Sequence, residues 1–581
     1  MNSPRPTRQK EKSAPALPAR GTETLSPRNC TIIALSLAAI VVAIYSPALS
    51  FQFILDDHRF TADPRIQSAG HIGQYFTNYV WAQFTGGPPS FYRPVFLLWM
   101  RTNFILCELS PWGWHLLSIA KHLAVAMLLG LLAWRLLRDR AAAVLAATLF
   151  AVHPAQTESV AWVTVPDPLM SAGVLGALLL YLRHTENPSP DAAKKSGKGA
   201  RSKTSPQTSY VWLVSAAAVY FGALLAKETA IVLPVAIFIL AFLDLRSEPP
   251  SSARRKHETA GENPDLRIRL VQAVHRMLPF VLVTIFYLLL RLNALSGKLS
   301  TRTQQLPGRT VVLSWPAIVW FYLKVLLWPA HSYAFADPAL QGKFSLRGVL
   351  LPTMGEICIL AIFAAALFWI SRKAHRDLAA PEAYGVERAL VIGSLLLILP
   401  ILPALNLNAL NPGDFLHGRY TYLPLAGLTL LLSTGWHVAG KARIPFLIIA
   451  GTLAVVFAGL TLDQEHQWKD DLTLFNVASQ LAPHNVPVAQ NLANARVQQA
   501  LQLAEEGRCG EAVSVFEQVT RDFPQDWYAW AALGDCLVQL KDFSQAEESF
   551  HKAADLSHDA RVIEQWQQLR TSMGLPISAP K

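Results

Sequence analysis

The chain has 581 residues, of which 52% are hydrophobic and only 16% are charged, and its mean hydropathy is +0.28. Soluble proteins of this length are more polar, so the composition predicts an all-α polytopic membrane protein. The formal net charge is +11, but the basic residues gather in short stretches between apolar segments, which is typical of cytoplasmic loops. The charge therefore indicates membrane topology, and no nucleic-acid partner is expected. Five cysteines without a CxxC or Cys/His pattern indicate neither a zinc site nor a dense disulfide framework.

The N-terminal segment combines a basic tail with the first apolar span. Residues 1–28 are rich in Pro, Ser, Lys and Arg, which predicts a disordered basic cytoplasmic tail. Residues 31–50 have a full membrane length, which favours a retained first helix over a cleaved signal peptide. Asp56 and Asp57 follow directly, so two adjacent carboxylates lie where this helix leaves the lipid. Charge at such a depth usually serves a site; the simpler alternative is a polar stop to the helix.

The positions of the basic loops predict the membrane topology. With the tail inside, the segments 183–203, 246–269 and 371–376 fall on the cytoplasmic side, in agreement with the positive-inside rule. About eleven crossings result. Two further apolar segments, 93–109 and 312–328, contain charged residues or an interrupting proline, so we interpret them as interfacial or re-entrant helices on the outer face. Counting both as crossings gives thirteen, which is the alternative.

The C-terminal region changes from apolar to polar and contains an internal repeat. Segment 510–516 aligns with segment 544–550, and their alanines and phenylalanines are 34 residues apart, which is the tetratricopeptide (TPR) period. An earlier segment, Leu474-Phe475 through Pro483, resembles the segment from Phe516 through Pro524 at an offset of 41 residues, which implies an elongated helix between them. Such solenoids bind peptides or proteins on a concave face; the alternative is a helical cap packed on the membrane domain.

These boundaries divide the chain into four predicted parts, and the third part contains two cysteines whose pairing is undetermined. The tail (1–28) is followed by a membrane domain (29–465) with an outer loop (51–111), a TPR domain on the outer side (466–570) and a short C-terminal tail (571–581). Cys509 and Cys536 share the TPR region, and the sequence does not decide whether they pair.

Several polar residues fall at the outer ends of different predicted spans. A helical bundle buries such groups only when they pair with one another or face a water-filled cavity. A cavity that contains acids and bases together suits an anionic substrate and proton transfer. The residues are Asp56, Asp57, Arg93, His153, Glu158, Lys227, Glu228, Asp414, His417, Arg419 and Tyr420.

Simpler interpretations exist for several of these groups. Lys227 and Glu228 could form only a local pair at a helix turn, His153 could cap the end of a span, and Arg419 could be an interfacial anchor. His115 and His122 are seven residues apart and face one side of their helix. Hydrogen bonding to neighbours explains these two histidines at least as well as metal binding.

In the order in which they occur, the polar motifs resemble a known family. The sequence is similar to multispanning, lipid-sugar-dependent glycosyltransferases of the GT-C fold, especially the transmembrane-and-TPR group of protein O-mannosyltransferase-like proteins. The resemblance extends from about residue 51 to residue 556. The matching segments are Asp56-Asp57, Tyr92-Arg93-Pro94, 149–154 with 158–162, Lys227-Glu228-Thr229, 326–329 and 419–424.

The resemblance implies an inverting transfer of a sugar from a polyprenyl-phosphate donor to an acceptor on the extracytoplasmic side. A carboxylate is the general base, because an acceptor hydroxyl must lose its proton as it attacks the anomeric carbon. Asp56 is the first choice and Asp57 the second. Arg419 and Arg93 are expected to bind the donor phosphate, which suits the planar guanidinium, with Lys227 assisting. The residues expected in the substrate pocket are His153, Glu158, Glu228 and Tyr420.

The resemblance leaves the cofactor, the sugar and the acceptor open. Asp56 and Asp57 could hold a divalent cation, but two adjacent carboxylates are not a coordination sphere. Mannose is the sugar that the family suggests, yet the Arg that many relatives carry near Asp167 is missing here. The acceptor could be a protein, a lipid or a glycan, and the TPR partner is undetermined.

The short repeat array and the compact loops predict a bacterial inner-membrane protein with a cytoplasmic N-terminus and periplasmic repeats. The competing hypothesis is a non-catalytic membrane scaffold, or a transporter of lipid-linked glycans, with a TPR docking module. The acid pair at the membrane edge favours transfer, because a scaffold has no need of it.

Overall fold

A computed structural model describes residues 26–84, 91–186, 206–243, 266–297, 305–331, 333–337, 340–410 and 416–576. All regular secondary structure in these residues is helical, which confirms the all-α prediction. Most of the predicted tail (1–28), most of the basic loops 183–203 and 246–269, and Asp414 lie outside the described residues.

The first half of the chain contains long apolar helices and short helices of the outer loop. The α-helices are α1 (Pro27–Tyr45), α2 (Asp56–Ala62), α3 (Pro64–Gln67), α4 (Gln74–Thr77), α5 (Pro94–Cys107), α6 (Pro111–Leu137), α7 (Arg140–Ala151), α8 (Thr157–Ala161), α9 (Asp167–Glu186), α10 (Pro206–Ala226) and α11 (Leu233–Phe242).

The second half completes the bundle and then forms the solenoid. Its α-helices are α12 (Leu266–Ala294), α13 (Gly308–Leu327), α14 (Leu351–Asp377), α15 (Ala380–Ile398), α16 (Tyr422–Val438), α17 (Arg443–Glu465), α18 (Asp471–Leu481), α19 (Val486–Glu505), α20 (Cys509–Asp522), α21 (Trp527–Gln539), α22 (Phe543–Ser557) and α23 (Ala560–Ser572).

Single 3-10 or π turns extend or join many of these helices. The 3-10 turns are Ser46–Ser50, Ala69–His71, Pro154–Gln156, Glu228–Val232, Leu399–Leu405, Leu407–Ala409, Gly418–Thr421, Gly440–Ala442 and His466–Trp468, and the π turn is Leu346–Leu350.

Seven helical segments are long and apolar enough to cross a membrane, judged by length and composition. Four shorter apolar helices accompany them: Pro94–Cys107, Arg140–Ala151, Tyr210–Ala226 and Glu228–Phe242. The seven segments are Pro27–Ser50, Pro111–Leu137, Leu266–Ala294, Gly308–Leu327, Leu346–Asp377, Ala380–Leu405 and Gly440–Trp468.

The helix lengths can be compared with the predicted interfacial positions of two helices, α5 and α13. Helix α5 has 14 residues and spans about 21 Å, less than the hydrocarbon core of about 30 Å, so its length fits an interfacial position. Helix α13 has 20 residues and is long enough to cross. The number of eleven crossings and the interfacial position of α13 therefore stay predictions.

The helical bundle has one continuous apolar core to which α1, α6, α7, α9, α10, α15 and α16 contribute. Small residues allow close helix approach, as is common in membranes. Gly427 of α16 lies so close to the backbone of Gly393 in α15 that a Cβ at Gly427 would overlap it.

A polar cluster marks one end of this bundle. Asp139 caps α7 by accepting the backbone N–H of Ala141 at 3.0 Å. Its carboxylate also contacts His437 Nδ1 at 2.9 Å and Arg443 Nη2 at 3.4 Å. The start of α7, the end of α16 and the start of α17 therefore lie together. Helix α7 begins at this cluster and helix α16 ends at it. The other ends of these two helices therefore lie at the opposite end of the bundle, close to Glu158 and Arg419.

The six C-terminal helices, α18 to α23, form the solenoid. Helix α19 has 20 residues whereas α21 has 13, and this difference of 7 equals the excess of the 41-residue offset over the 34-residue period. The elongated intervening helix is thus present. Phe516 and Phe550, one period apart, are both buried, as the repeat pattern predicts.

The solenoid packs directly on the outer-loop side of the bundle. Phe51 and Ile54, which follow α1, share a buried apolar cluster with Trp162, Trp468 and Phe475. The segment Gly440–Trp468 is continuously helical, so the chain passes from the bundle into the solenoid without a flexible linker.

Candidate functional site

The two adjacent aspartates open helix α2 but have different environments. Asp57 is fully buried: its Oδ2 accepts the N–H of Ile54 at 3.1 Å, and its Oδ1 accepts the Thr164 hydroxyl at 2.7 Å and the Thr164 N–H at 3.3 Å. Asp56 is partly exposed. Asp57 therefore ties the outer loop to the segment that follows α8, whereas Asp56 keeps part of its surface exposed.

Burial also changes the acidity of Asp57. It raises the pKa of this carboxyl from 3.8 to about 7, although the hydrogen bonds from Thr164 and Ile54 and the charge of His58 act in the opposite direction. An aspartate in this environment changes its charge close to neutral pH.

Arg419 and Glu158 form the centre of a second group. Glu158 is 1% exposed and accepts the backbone N–H of Arg419 at 2.7 Å and its Nη1 at 3.3 Å. The guanidinium lies 4.6 Å from the centroid of the Trp162 ring. His417 approaches the same carboxylate, with its Nδ1 3.4 Å from Glu158 Oε1. Arg419 is thus fixed from both its backbone and its side chain, which exceeds what an interfacial anchor requires.

Thr164 and Trp162 connect the acidic and the cationic groups. They are two residues apart: Thr164 binds Asp57, and Trp162 lies against Arg419. The segment after α8 therefore brings the Asp56–Asp57 turn and Arg419 to the same end of the bundle, as the sequence predicts.

Arg93 and Lys227 are held by carboxylates of other helices. Arg93 makes a two-pronged pair with Glu228, with Nε to Oε2 at 2.9 Å and Nη2 to Oε1 at 2.6 Å. Lys227 Nζ contacts both oxygens of Asp167 at 2.6 and 2.7 Å and lies 4.8 Å from the Tyr420 ring centroid. The interpretation of Lys227 and Glu228 as a local pair is therefore wrong, because each binds a different partner.

Each predicted phosphate-binding cation thus has a buried or half-buried acid beside it. Such pairing is the usual way in which a membrane bundle holds charge. The acids fix the positions of Arg93, Lys227 and Arg419. The Tyr420 ring connects two of these cations, because Lys227 lies against it and the Arg419 guanidinium lies 5.8 Å from its centroid. Asp167, which is not among the predicted site residues, is the partner of Lys227.

His153 and His122 are held by hydrogen bonds within the bundle. His153 Nδ1 accepts the N–H of Ala155 at 3.2 Å and its Nε2 lies 3.2 Å from the Leu326 carbonyl oxygen, so His153 caps the turn that follows α7. Its expected place in the substrate pocket gains no support from these contacts. His122 contacts the Tyr422 hydroxyl at 2.9 Å and the Ala151 carbonyl at 3.1 Å, in agreement with a hydrogen-bonded core histidine.

Sequence reasoning missed Lys121, which lies on the same side of the bundle. This buried lysine of α6 donates to the Val163 carbonyl at 3.3 Å, beside Thr164. A charged residue within an apolar span is itself the signal that could have identified it. Thr164 carries no such signal, because its role depends on a contact 107 positions away in the sequence.

Metal binding by the aspartates is not supported by a larger donor set. Among the residues that the structure describes, no group of three or more His, Cys, Asp or Glu side chains could hold a metal ion. Asp57 already accepts three hydrogen bonds. A divalent cation held by Asp56 and Asp57 therefore stays a prediction.

Comparison with known proteins supports the predicted resemblance. A tetratricopeptide-repeat family model matches residues 503–571. The chain is 24% identical over 543 residues to the protein O-mannosyl-transferase TMTC3 of Mus musculus, covering 90% of this chain and 54% of the relative. It is 31% identical over 151 residues to the protein O-mannosyl-transferase TMTC2 of Mus musculus, covering 25% of this chain and 18% of the relative.

A solved structure shows a weaker overlap. The oligosaccharyltransferase of Archaeoglobus fulgidus in its apo form is 12% identical, with a TM-score of 0.38 over 80% of this chain and 59% of the archaeal one. That score does not establish a shared fold. The chain also spans only about half the length of the curated relatives that it matches.

The seven apolar segments make the chain an integral membrane protein by length and composition. Its similarity to the named O-mannosyl-transferases extends over 90% of its residues, and the repeat family matches at the C-terminus. The chain is accordingly similar to the named protein O-mannosyl-transferases over most of its length, which confirms the resemblance predicted from its motifs.

Proposed function

We propose that this protein transfers a hexose, with mannose as the first candidate, from a polyprenyl-phosphate donor to a hydroxyl acceptor on the extracytoplasmic side. The observation that carries this proposal is the location of a partly exposed carboxylate, Asp56, at the same end of the bundle as three fixed cations. These two kinds of group serve the two ends of a glycosyl transfer, the nucleophile and the leaving phosphate.

In the proposed reaction Asp56 is the general base. It takes the proton from the acceptor hydroxyl while the hydroxyl oxygen forms a bond to the anomeric carbon. The bond from that carbon to the lipid phosphate breaks on the opposite face, so the configuration inverts. Asp57 is the less suitable base, because its oxygens already accept hydrogen bonds from Ile54 and Thr164.

The leaving lipid phosphate gains negative charge, which Arg419 and Arg93 stabilise with Lys227 assisting. Preorganised cations in a site with little water are effective in this role because they need not reorient during the reaction. The partners Glu158, Glu228 and Asp167 provide that preorganisation. No step of the proposed reaction is assigned to a metal ion.

The solenoid is proposed to lie on the same outer side and to present a protein or glycan acceptor. Its first helices already pack on the outer loop. The orientation of the bundle that follows has the N-terminus in the cytoplasm and the repeats outside, in a bacterial inner membrane.

The test measures transfer of radiolabelled sugar from polyprenyl-phosphate donors by purified protein in lipid nanodiscs. Asp56→Asn should lower kcat at least 10²-fold or so, the size typical of losing a general base, while donor binding persists. Arg419→Ala should weaken donor binding and kcat together. His122→Gln serves as a matched control, because it alters a buried polar group of the bundle that the proposed mechanism does not use.

The other outcomes decide between the competing functions. Unchanged transfer by Asp56→Asn would remove this residue from the mechanism. Absence of transfer by the wild type with every donor tested would favour the scaffold or the glycan transporter. Loss of transfer on chelation with EDTA would show that a divalent cation takes part, with Asp56 and Asp57 as its candidate ligands.

A further inference from the structure

A carboxylate of the solenoid holds the residues on both sides of the Asp56–Asp57 pair. Asp471 is the first residue of α18, the first solenoid helix. Its Oδ1 accepts the backbone N–H of Leu55 at 2.9 Å, and its Oδ2 lies 2.8 Å from His58 Nε2. One side chain, more than 400 positions away in the sequence, therefore brackets the aspartate pair.

The bracketed turn has a backbone that needs such support. Leu55 has a φ of 52°, in a region that L residues other than Asn, Asp and His seldom adopt. A conformation of this kind persists only where its surroundings impose it. The bond from Leu55 N–H to Asp471 is part of those surroundings, and the next residue, Asp56, takes its direction from this turn.

Other contacts attach the same stretch of chain to the solenoid. The backbone N–H of Gln52 donates to the Lys469 carbonyl oxygen at 2.9 Å. Phe51 and Ile54 are buried in the cluster that includes Trp468 and Phe475. Residues 51–58 are thus held by the solenoid at their start, at their centre and at their end.

Helix α18 also reaches the cationic group. The ring of Phe475 lies 5.9 Å from that of Phe335, which lies 5.8 Å from that of His417. His417 in turn approaches Glu158, the partner of Arg419. The first solenoid helix therefore contacts the aspartate turn directly and reaches the cationic group through Phe335 and His417.

We propose that Asp471 is a positioning residue that sets the orientation of Asp56, so that helix α18 is part of the transfer site and the solenoid is more than a docking module. This inference rests on the proposed function, because Asp471 acts through the proposed base. It predicts that occupancy or displacement of the solenoid changes the rate of transfer and not only the affinity for the acceptor.

The experiment compares the full-length wild type with Asp471→Ala and Asp471→Asn in nanodiscs. Asp471→Ala removes both contacts and should lower kcat about tenfold or more, the scale expected when a catalytic group is misplaced by an ångström or less. The KM values for donor and acceptor should stay within about twofold. Asp471→Asn retains an oxygen for Leu55 N–H and should recover part of kcat. Hydrogen–deuterium exchange of residues 51–58 should be about tenfold faster in Asp471→Ala.

Asp470→Asn is the matched control. Asp470 caps the same helix by accepting the Thr473 N–H at 2.8 Å and asparagine caps equally well, so kcat and exchange should stay within about twofold of wild type. Unchanged exchange in Asp471→Ala, faster exchange with unchanged kcat, or an effect confined to KM would each overturn the positioning role. If the wild type transfers no sugar, the proposed function fails while the exchange measurement still tests the contact itself.

Discussion

At the residue scale, the aspartate pair shows how two identical neighbours acquire different roles. Asp57 points into the protein and accepts three hydrogen bonds, whereas Asp56 remains partly exposed. The sequence could rank the two only by position, because the environment of each side chain depends on Thr164 and on the solenoid. The buried ion pairs follow the same rule, since their partners come from distant helices.

The buried Asp57 should give the protein a specific pH dependence of stability. Its pKa in the fold is about 7, against an ordinary value of 3.8, so the folded state favours the protonated form. The resulting stabilisation is fully present below about pH 4, decreases as the pH rises through 7 and is absent above it. Asp57→Asn removes this dependence. The midpoint of thermal unfolding in detergent, measured between about pH 4 and pH 8, should therefore fall with rising pH in the wild type relative to Asp57→Asn, whose amide stays neutral. A difference between the two midpoints that does not change with pH would contradict the assignment.

Replacing one member of the Lys227–Asp167 pair should destabilise the protein more than replacing both. Both side chains are 4% exposed, so removing one partner leaves an uncompensated buried charge, which typically costs about 3–5 kcal/mol. Lys227→Met should therefore lower the thermal midpoint strongly, and Lys227→Met combined with Asp167→Leu should recover much of the loss. Thermal unfolding of the two single variants and the double variant measures this coupling. Additive losses would show that the two residues act independently.

At the element scale, helix lengths and helix ends decide how the solenoid meets the membrane domain. The 20-residue α19 separates the first helix from the regular repeats, and α18 lies against the outer loop. The 34-residue spacing identified the repeats because it is a local, periodic pattern. The docking of α18 on residues 51–58 joins segments remote in sequence, and no periodicity reports it.

The paired helices α20 and α21 should carry a disulfide if the solenoid faces an oxidising compartment. The Sγ atoms of Cys509 and Cys536 lie 3.1 Å apart, and both thiols are free in this structure. A disulfide has an S–S length of about 2.05 Å, so a small shift would allow the bond, with loss of two hydrogens to an oxidant such as a thiol–disulfide exchange protein. Mass spectrometry of the protein from native membranes, alkylated without reduction, should find Cys509 linked to Cys536. Two alkylated thiols would indicate a reducing compartment and contradict the proposed outer location.

At the scale of the whole molecule, two separate groups of charged residues occupy opposite ends of the bundle. Asp56, Arg419 and Arg93 lie at one end, and the cluster of Asp139, His437 and Arg443 lies at the other. This separation agrees with a topology in which basic helix ends face the cytoplasm. The absolute orientation stays a prediction, because helix packing is the same whichever way the bundle is inserted.

Cysteine labelling of spheroplasts should establish that orientation. In a background without native cysteines, Asp526→Cys in the solenoid should react with a membrane-impermeant maleimide in intact spheroplasts. Lys373→Cys, near the end of α14, should react only after permeabilisation. The reverse pattern would place the proposed site on the cytoplasmic side and contradict transfer from the outer face.

The sequence by itself determined the membrane class, the helical fold and the repeat period, and it named most charged residues of the proposed site. These features are local: hydropathy, periodicity and charge at helix ends are visible within short windows of the chain. Only the tertiary structure decided that Lys227 pairs with Asp167, that Arg93 pairs with Glu228, and that Asp471 contacts Leu55 and His58. Such contacts depend on how helices far apart in sequence pack, because a buried charge takes whichever partner the fold brings within hydrogen-bonding distance.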